Sequence, residues 1–189
     1  MFQELRKVVR AGLGLALIAT AIPAAALAAG ADHHGAHEAH AGRTIVQAAM
    51  GSNDHSTLVA AVGAAGLAET LSGPGPFTVF APTNSAFGRL PAGTVDTLLQ
   101  PANRSTLAAV LTYHVVPGRV TAADLVERIR AGGGSARLTT VQGGTLTARM
   151  DGRSVVLVDA KGGTARVTQA DLVQSNGVIH VTDAVSLPG

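Results

Sequence analysis

Four of the seven histidines crowd one short stretch: His33, His34, His37 and His40, in the run Ala31-Asp-His-His-Gly-Ala-His-Glu-Ala-His-Ala-Gly42. Imidazole is the commonest metal ligand, and a short His-rich tract of this kind can take up Zn, Cu or Ni. A chain beginning at Ala31 would carry Ala31-Asp32-His33 at its end. The free amine, two backbone amides and the third-position imidazole then form a square-planar set suited to Cu(II) or Ni(II). On a helix His33, His37 and His40 would share a face. Gly35 and the short length oppose a stable helix, so a solvated tail with weak metal affinity is the simpler expectation. His37-Glu38-Ala39-His40 is one residue short of the H-E-x-x-H pattern that holds catalytic zinc.

Elsewhere Ser85, His114 and Asp183 supply the residue types of a Ser–His–Asp hydrolase, but neither a G-x-S-x-G elbow nor an S-x-x-K motif accompanies them. With no cysteine in the chain, disulfides, Cys-ligated zinc, iron–sulfur clusters and thiol nucleophiles are excluded. No enzymatic activity and no cofactor are expected. His180 lies between Ile179 and Val181 in a strand-like run, and its side chain is expected to face outward.

The segment ahead of the histidines reads as an address. Arg6, Lys7 and Arg10 precede an apolar run from Ala11 to Ile22, Pro23 breaks it, and Ala26-Leu27-Ala28 offers an A-x-A cleavage site. We expect an export signal over 1–28, with cleavage after Ala28 or after Gly30, a His-rich tail over 29–42, and one globular domain over 43–188. The protein is then periplasmic or secreted, and touches a membrane only through its export signal. The charge balance follows the same division. Of the 14 basic and 12 acidic residues, the leader holds three basic residues and Glu4, so the remainder carries 11 of each and is formally neutral. A neutral chain without clustered Lys and Arg is a poor phosphate binder, and five aromatics in 189 residues make a base-stacking surface improbable. Nucleic acid is therefore excluded as a partner.

The elements that must position any site divide the globular part in two. Helical patterning comes first. Thr44 caps a segment to Met50, and Ser52 to Ser56 offer caps for a helix with Leu58, Val59, Val62 and Leu67, closed near Gly66. Phe77 to Phe80 form a short strand, Thr83 or Asn84 caps a turn with Ala86 and Phe87, and helices follow around Val95–Leu99 and Leu107–Leu111. Tyr113 to Val116 read as a strand. Beyond about residue 131 the pattern becomes strands near 137–141, 145–150, 154–158, 164–168 and 178–182. Asp151-Gly152 supplies a hairpin turn among them. Helices early and antiparallel strands late define an α+β domain.

Three segments of this domain stand out together: Gly75-Pro-Phe-Thr-Val-Phe-Ala-Pro-Thr-Asn-Ser-Ala-Phe-Gly-Arg-Leu-Pro91, Tyr113-His-Val-Val-Pro-Gly118, and Asn176-Gly-Val-Ile-His-Val-Thr-Asp-Ala-Val-Ser-Leu-Pro188. They resemble, in order, the first homology motif, the Tyr-His motif and the second homology motif of the fasciclin domain family. The resemblance implies an antiparallel β-wedge or sandwich beside several N-terminal helices, and adhesion or surface binding rather than catalysis. The implied partner is a protein or glycan surface at the cell envelope, in an oligomeric state the sequence leaves open. It also implies that His114 is a hydrogen-bonded partner within the fold, and that Tyr113 and His114 belong to a family-implicated surface. In animal members an Asp followed by Ile or Leu just before the last motif is implicated in integrin binding. Asp171-Leu172 occupies that place, but Gln169-Ala170 replaces the pair that precedes it, leaving half the motif. The plainer alternative makes Asp171 a turn cap and Leu172 core. All four aromatics beyond the leader, Phe77, Phe80, Phe87 and Tyr113, fall in the first two motifs, and Phe80 and Phe87 are expected to be buried.

Overall fold

Thr44 opens the first element with a reciprocal capping box. Its hydroxyl accepts from the Gln47 amide at 3.3 Å, and its own amide donates to Gln47 Oε1 at 3.0 Å. In the computed structural model, which describes residues 42–189, this cap starts α1 (Ile45–Met50). The segment 1–28 read as an export signal and His33, His34, His37 and His40 lie outside the described residues. A 3₁₀ turn (Asn53–His55) leads into α2 (Ser56–Ala65), which stops at Gly66 in the left-handed region, φ 73°. Then come α3 (Ala68–Ser72), β1 (Phe77–Pro82), α4 (Asn84–Gly88), α5 (Thr94–Leu99), a 3₁₀ turn (Pro101–Asn103), α6 (Arg104–Tyr113) and β2 (Val115–Pro117). Helix α7 (Ala122–Ala131) precedes β3 (Ser135–Thr139), β4 (Thr145–Asp151), β5 (Ser154–Val158), β6 (Thr164–Gln174) and β7 (Gly177–Thr182).

The strands form one sheet in the order β2-β1-β7-β6-β5-β4-β3. The pairs from β3 to β7 are antiparallel, as expected, but β1 and β7 run parallel from Phe77↔Gly177 to Pro82↔Thr182. The sheet is therefore mixed: the first and third motifs lie side by side, on the second and third strands from its β2 edge. Gly177 is required there, because a Cβ would sit 2.0 Å from the Phe77 carbonyl oxygen. β6 turns the sheet into a wedge. Its start pairs with β5, its remainder pairs with β7, and register shifts between Val167, Gln169 and Leu172 bend it.

Alternation along the central strands divides the core. Val79, Ala81 and Ile179 face the helices and pack with Ile45, Leu58, Leu71, Leu107 and Leu111. Phe80 faces into the wedge with Tyr113, Leu125, Ile129, Leu138, Leu146 and Leu157. Phe80 and Phe87 are both buried. The sequence reading assigns no element to 122–131, yet α7 closes the wedge through Leu125 and Ile129. Its signal is Thr121-Ala-Ala-Asp124, a capping box in which the Thr121 hydroxyl accepts from the Asp124 amide at 3.2 Å. Tyr113 is the last residue of α6 rather than a strand residue. Among the described residues no helix is long and apolar enough to cross a membrane.

Candidate functional site

The end of α6 delivers Tyr113 and His114 into the interior. Tyr113 is fully buried; its hydroxyl donates to the Thr145 carbonyl at 2.7 Å and accepts from the Ala160 amide at 3.1 Å. Burial raises the phenol above its ordinary range. Gly144 makes room for the ring, since a Cβ there would meet Tyr113 Cε2 at 2.7 Å. His114 reaches the Val110 carbonyl with Nδ1 at 2.8 Å and accepts the Ser186 amide on Nε2 at 2.9 Å. A carbonyl can only accept and an amide can only donate, so the ring carries its proton on Nδ1 and is neutral. Burial holds its pKa below the ordinary histidine range.

Asp159, not singled out by the sequence reading, completes this knot. Its carboxylate accepts from the Lys161 and Gly163 amides at 3.0 and 2.7 Å and from the Leu187 amide at 2.9 Å. The signal is Asp159-Ala-Lys-Gly-Gly163, an Asx-type turn. Tyr113, His114 and Asp159 together fasten α6, the β5–β6 turn and residues 186–187. Neither Tyr113 nor His114 presents a surface to a partner.

His180 is a correction. It does not face outward: it is fully buried, stacks on Phe80 with ring centroids 5.5 Å apart, and bonds the Val120 carbonyl through Nε2 at 2.8 Å. The strand position places it on the wedge side, opposite Ile179, and burial lowers its pKa. Its Nδ1 accepts the Asp171 amide at 3.3 Å.

Asp171 has a positive φ of 59°, a conformation Asp tolerates better than most residues. Its Oδ1 accepts from the amide of Ala122, the first residue of α7, at 2.8 Å. That bond answers one of the helix's otherwise unpaired N–H groups and places a negative charge at the positive end of the dipole. Asp171 thus caps a distant helix rather than its own turn. Leu172, released to the other face by the bulge, is half-buried and packs on the helical core. The two residues point into different parts of the fold.

Asn176, inside the third motif, is a second clamp whose role the sequence reading missed. Oδ1 accepts from the Ile45 amide at 2.9 Å, and Nδ2 donates to the carbonyls of Leu71 and Gly73 at 2.8 and 3.0 Å. One buried side chain joins α1, the end of α3 and the β6–β7 turn.

The Ser85–His114–Asp183 arrangement is not assembled. Ser85 is exposed on α4, both nitrogens of His114 are taken by backbone, and Asp183 pairs with Arg89 at 3.3 Å and accepts from the Arg166 amide at 2.8 Å. Among the described residues no group of three or more His, Cys, Asp or Glu could hold a metal ion.

Buried clamps at the second and third motifs spend their polar atoms on the fold. The sequence model of the fasciclin domain matches residues 53–188. The chain belongs to the fasciclin domain family. Among relatives of this fasciclin domain, Protein sll1483 of Synechocystis is 51% identical over 146 residues, 77% of this chain and 73% of that one. The transforming growth factor-beta-induced protein ig-h3 of Sus scrofa is 37% identical over 145 residues, and the matched region spans 19% of its length. A FAS1 domain pair from the insect cell adhesion molecule fasciclin I aligns with a TM-score of 0.46 at 22% identity, over 75% of this chain and 43% of that one.

Proposed function

We propose that this fasciclin domain is an exported, non-enzymatic adhesion or interaction module of the cell envelope or extracellular space, meeting a protein or glycan surface. The observation that carries the reading is the family match over residues 53–188 behind a leader-like segment. The chemistry supports it: the histidines that invite catalysis, His114 and His180, spend their ring nitrogens on backbone groups. The test is a binding screen of the purified protein against envelope and matrix proteins and glycans, with fractionation of the producing cell. Saturable binding and recovery outside the cytoplasm are expected; no saturable binding to any surface would remove the reading.

A second reading rests on His33, His34, His37 and His40: a periplasmic metal-handling protein using its tail. Deleting residues 31–41 should abolish copper, nickel or zinc uptake and leave the unfolding transition unchanged. Metal uptake that survives the deletion rejects it.

A further inference from the structure

Beneath the first two helices lies an apolar cavity of about 70 Å³, bounded by Ile45, Leu58, Val62, Leu71, Val79 and Leu111. His114 is the one polar side chain on its wall, and both ring nitrogens are already bonded to backbone groups. The space exceeds the roughly 10–15 Å³ that admits a water molecule, but a water needs polar partners and this wall offers none. Apolar cavities of about 150 Å³ take up benzene, so one of about half that size has room for the end of a hydrocarbon chain.

The cavity reaches the surface between α1 and α2. Met50, 64% exposed, and half-buried Ala49 and Val59 line both the cavity and a second cleft of about 350 Å³. The rest of that cleft is Ser52, Asn53 and Ser56, which are polar and uncharged. Helix α2, Ser-Thr-Leu-Val-Ala-Ala-Val-Gly-Ala-Ala, carries no charge, although Ala60, Gly63 and Ala64 face solvent. A helix without a charged face is ordinarily covered all round, and exposed apolar surface beside an apolar cavity marks a binding site.

We infer that the cavity and its outer cleft bind one free, uncharged amphiphile: a hydrocarbon chain whose end lies under α1 and α2 and whose polar end lies over Ser52 to Ser56. Neither lining contains a Lys or Arg to receive a carboxylate or phosphate, nor an Asp or Glu to receive an ammonium group. The exposed side of α2 is made of small residues and lacks the bulky anchors with which a helix enters a bilayer, so the ligand is a single molecule rather than a membrane surface. The inference goes beyond the adhesion reading and does not depend on it.

The test uses purified protein carrying carbon-13-labelled Ile, Leu and Val methyl groups. It is titrated with 1-octanol and octyl glucoside, with octanoate and octylamine as charged probes, and with phosphatidylcholine vesicles. Saturable shifts of the Ile45, Leu58 and Leu71 methyls are expected with an uncharged probe, together with nuclear Overhauser contacts from its chain protons to those methyls. Gly63→Leu sets a better helix former at the mouth, and Ala49→Leu adds bulk to the wall shared by cavity and cleft. Each should weaken binding at least about tenfold, and urea midpoints show that each variant is folded. No saturation by either uncharged probe up to about 1 mM, shifts without contacts to the three methyls, or preference for octanoate or octylamine overturns the inference. So does full-strength binding in both folded variants. Cosedimentation with the vesicles without uptake of free octanol or octyl glucoside overturns it in favour of a bilayer. Should either variant fail to fold, the contacts in the unsubstituted protein decide.

Discussion

Acidification should destabilise this domain well above the carboxylate range. His114 and His180 each use one ring nitrogen as donor and the other as acceptor of a backbone N–H. A second proton would set N–H against N–H and leave a buried cation. Burial, the largest cause, lowers both pKa values from the ordinary 6.5. The unfolded chain therefore binds protons below 6.5 that the folded chain refuses, so this stability is fully present above that value and is lost as pH falls toward the folded pKa. Between pH 7.5 and 5.5 the loss is up to about 1.4 kcal/mol per histidine, or about 2.7 for the two. Against a typical total of about 5–15 kcal/mol that is a large fraction. His55, also lowered chiefly by burial, adds in the same direction. The assay is urea unfolding by circular dichroism at pH 7.5, 6.5 and 5.5 and constant ionic strength. The midpoint should fall below 6.5, and His114→Asn should lose its share of the slope. A midpoint unchanged to pH 5.5, or a full slope in that variant, refutes the buried-neutral assignment.

Other consequences follow from the clamps. Asn176→Ala removes three hydrogen bonds and strands buried backbone groups, which should cost about 3 kcal/mol. In a domain of this size that lowers the thermal midpoint by about 6–12 °C, readable by calorimetry. Tyr113→Phe keeps the ring and loses both bonds of the hydroxyl; a loss of about 1–3 kcal/mol and faster amide exchange at Ala160 are expected in hydrogen-exchange NMR. Asp171→Gly accepts the positive φ and loses the α7 contact, at about 1 kcal/mol; Asp171→Ala adds backbone strain and should be worse by about another 1 kcal/mol. Equal stability of the two Asp171 variants in urea would show that the φ carries no strain.

Much of the fold was legible because local physics wrote it. The box at Thr44, the stop at Gly66, the alternation from 145 to 148 and the turn at Asp151-Gly152 follow from neighbours along the chain. α7 was equally local in origin, and its Thr121–Asp124 signal lay in plain view. The pairing of β1 with β7 was not legible, since nothing near Phe77 says that Gly177 will lie beside it.

The same division runs through the site. Residue types alone excluded disulfides and thiol chemistry, made residues 29–189 formally neutral, and marked three motifs as a frame. Tertiary structure decided what each polar group does. Whether His180 meets water or Phe80 depends on which face of β7 is covered, and whether Asp171 caps its own turn or α7 depends on a bulge in β6. A side chain's hydrogen-bonding capacity belongs to its residue type; its partner is set by contacts between segments far apart in the chain. Asn176 joins residues more than a hundred positions away, and no local pattern can encode that meeting.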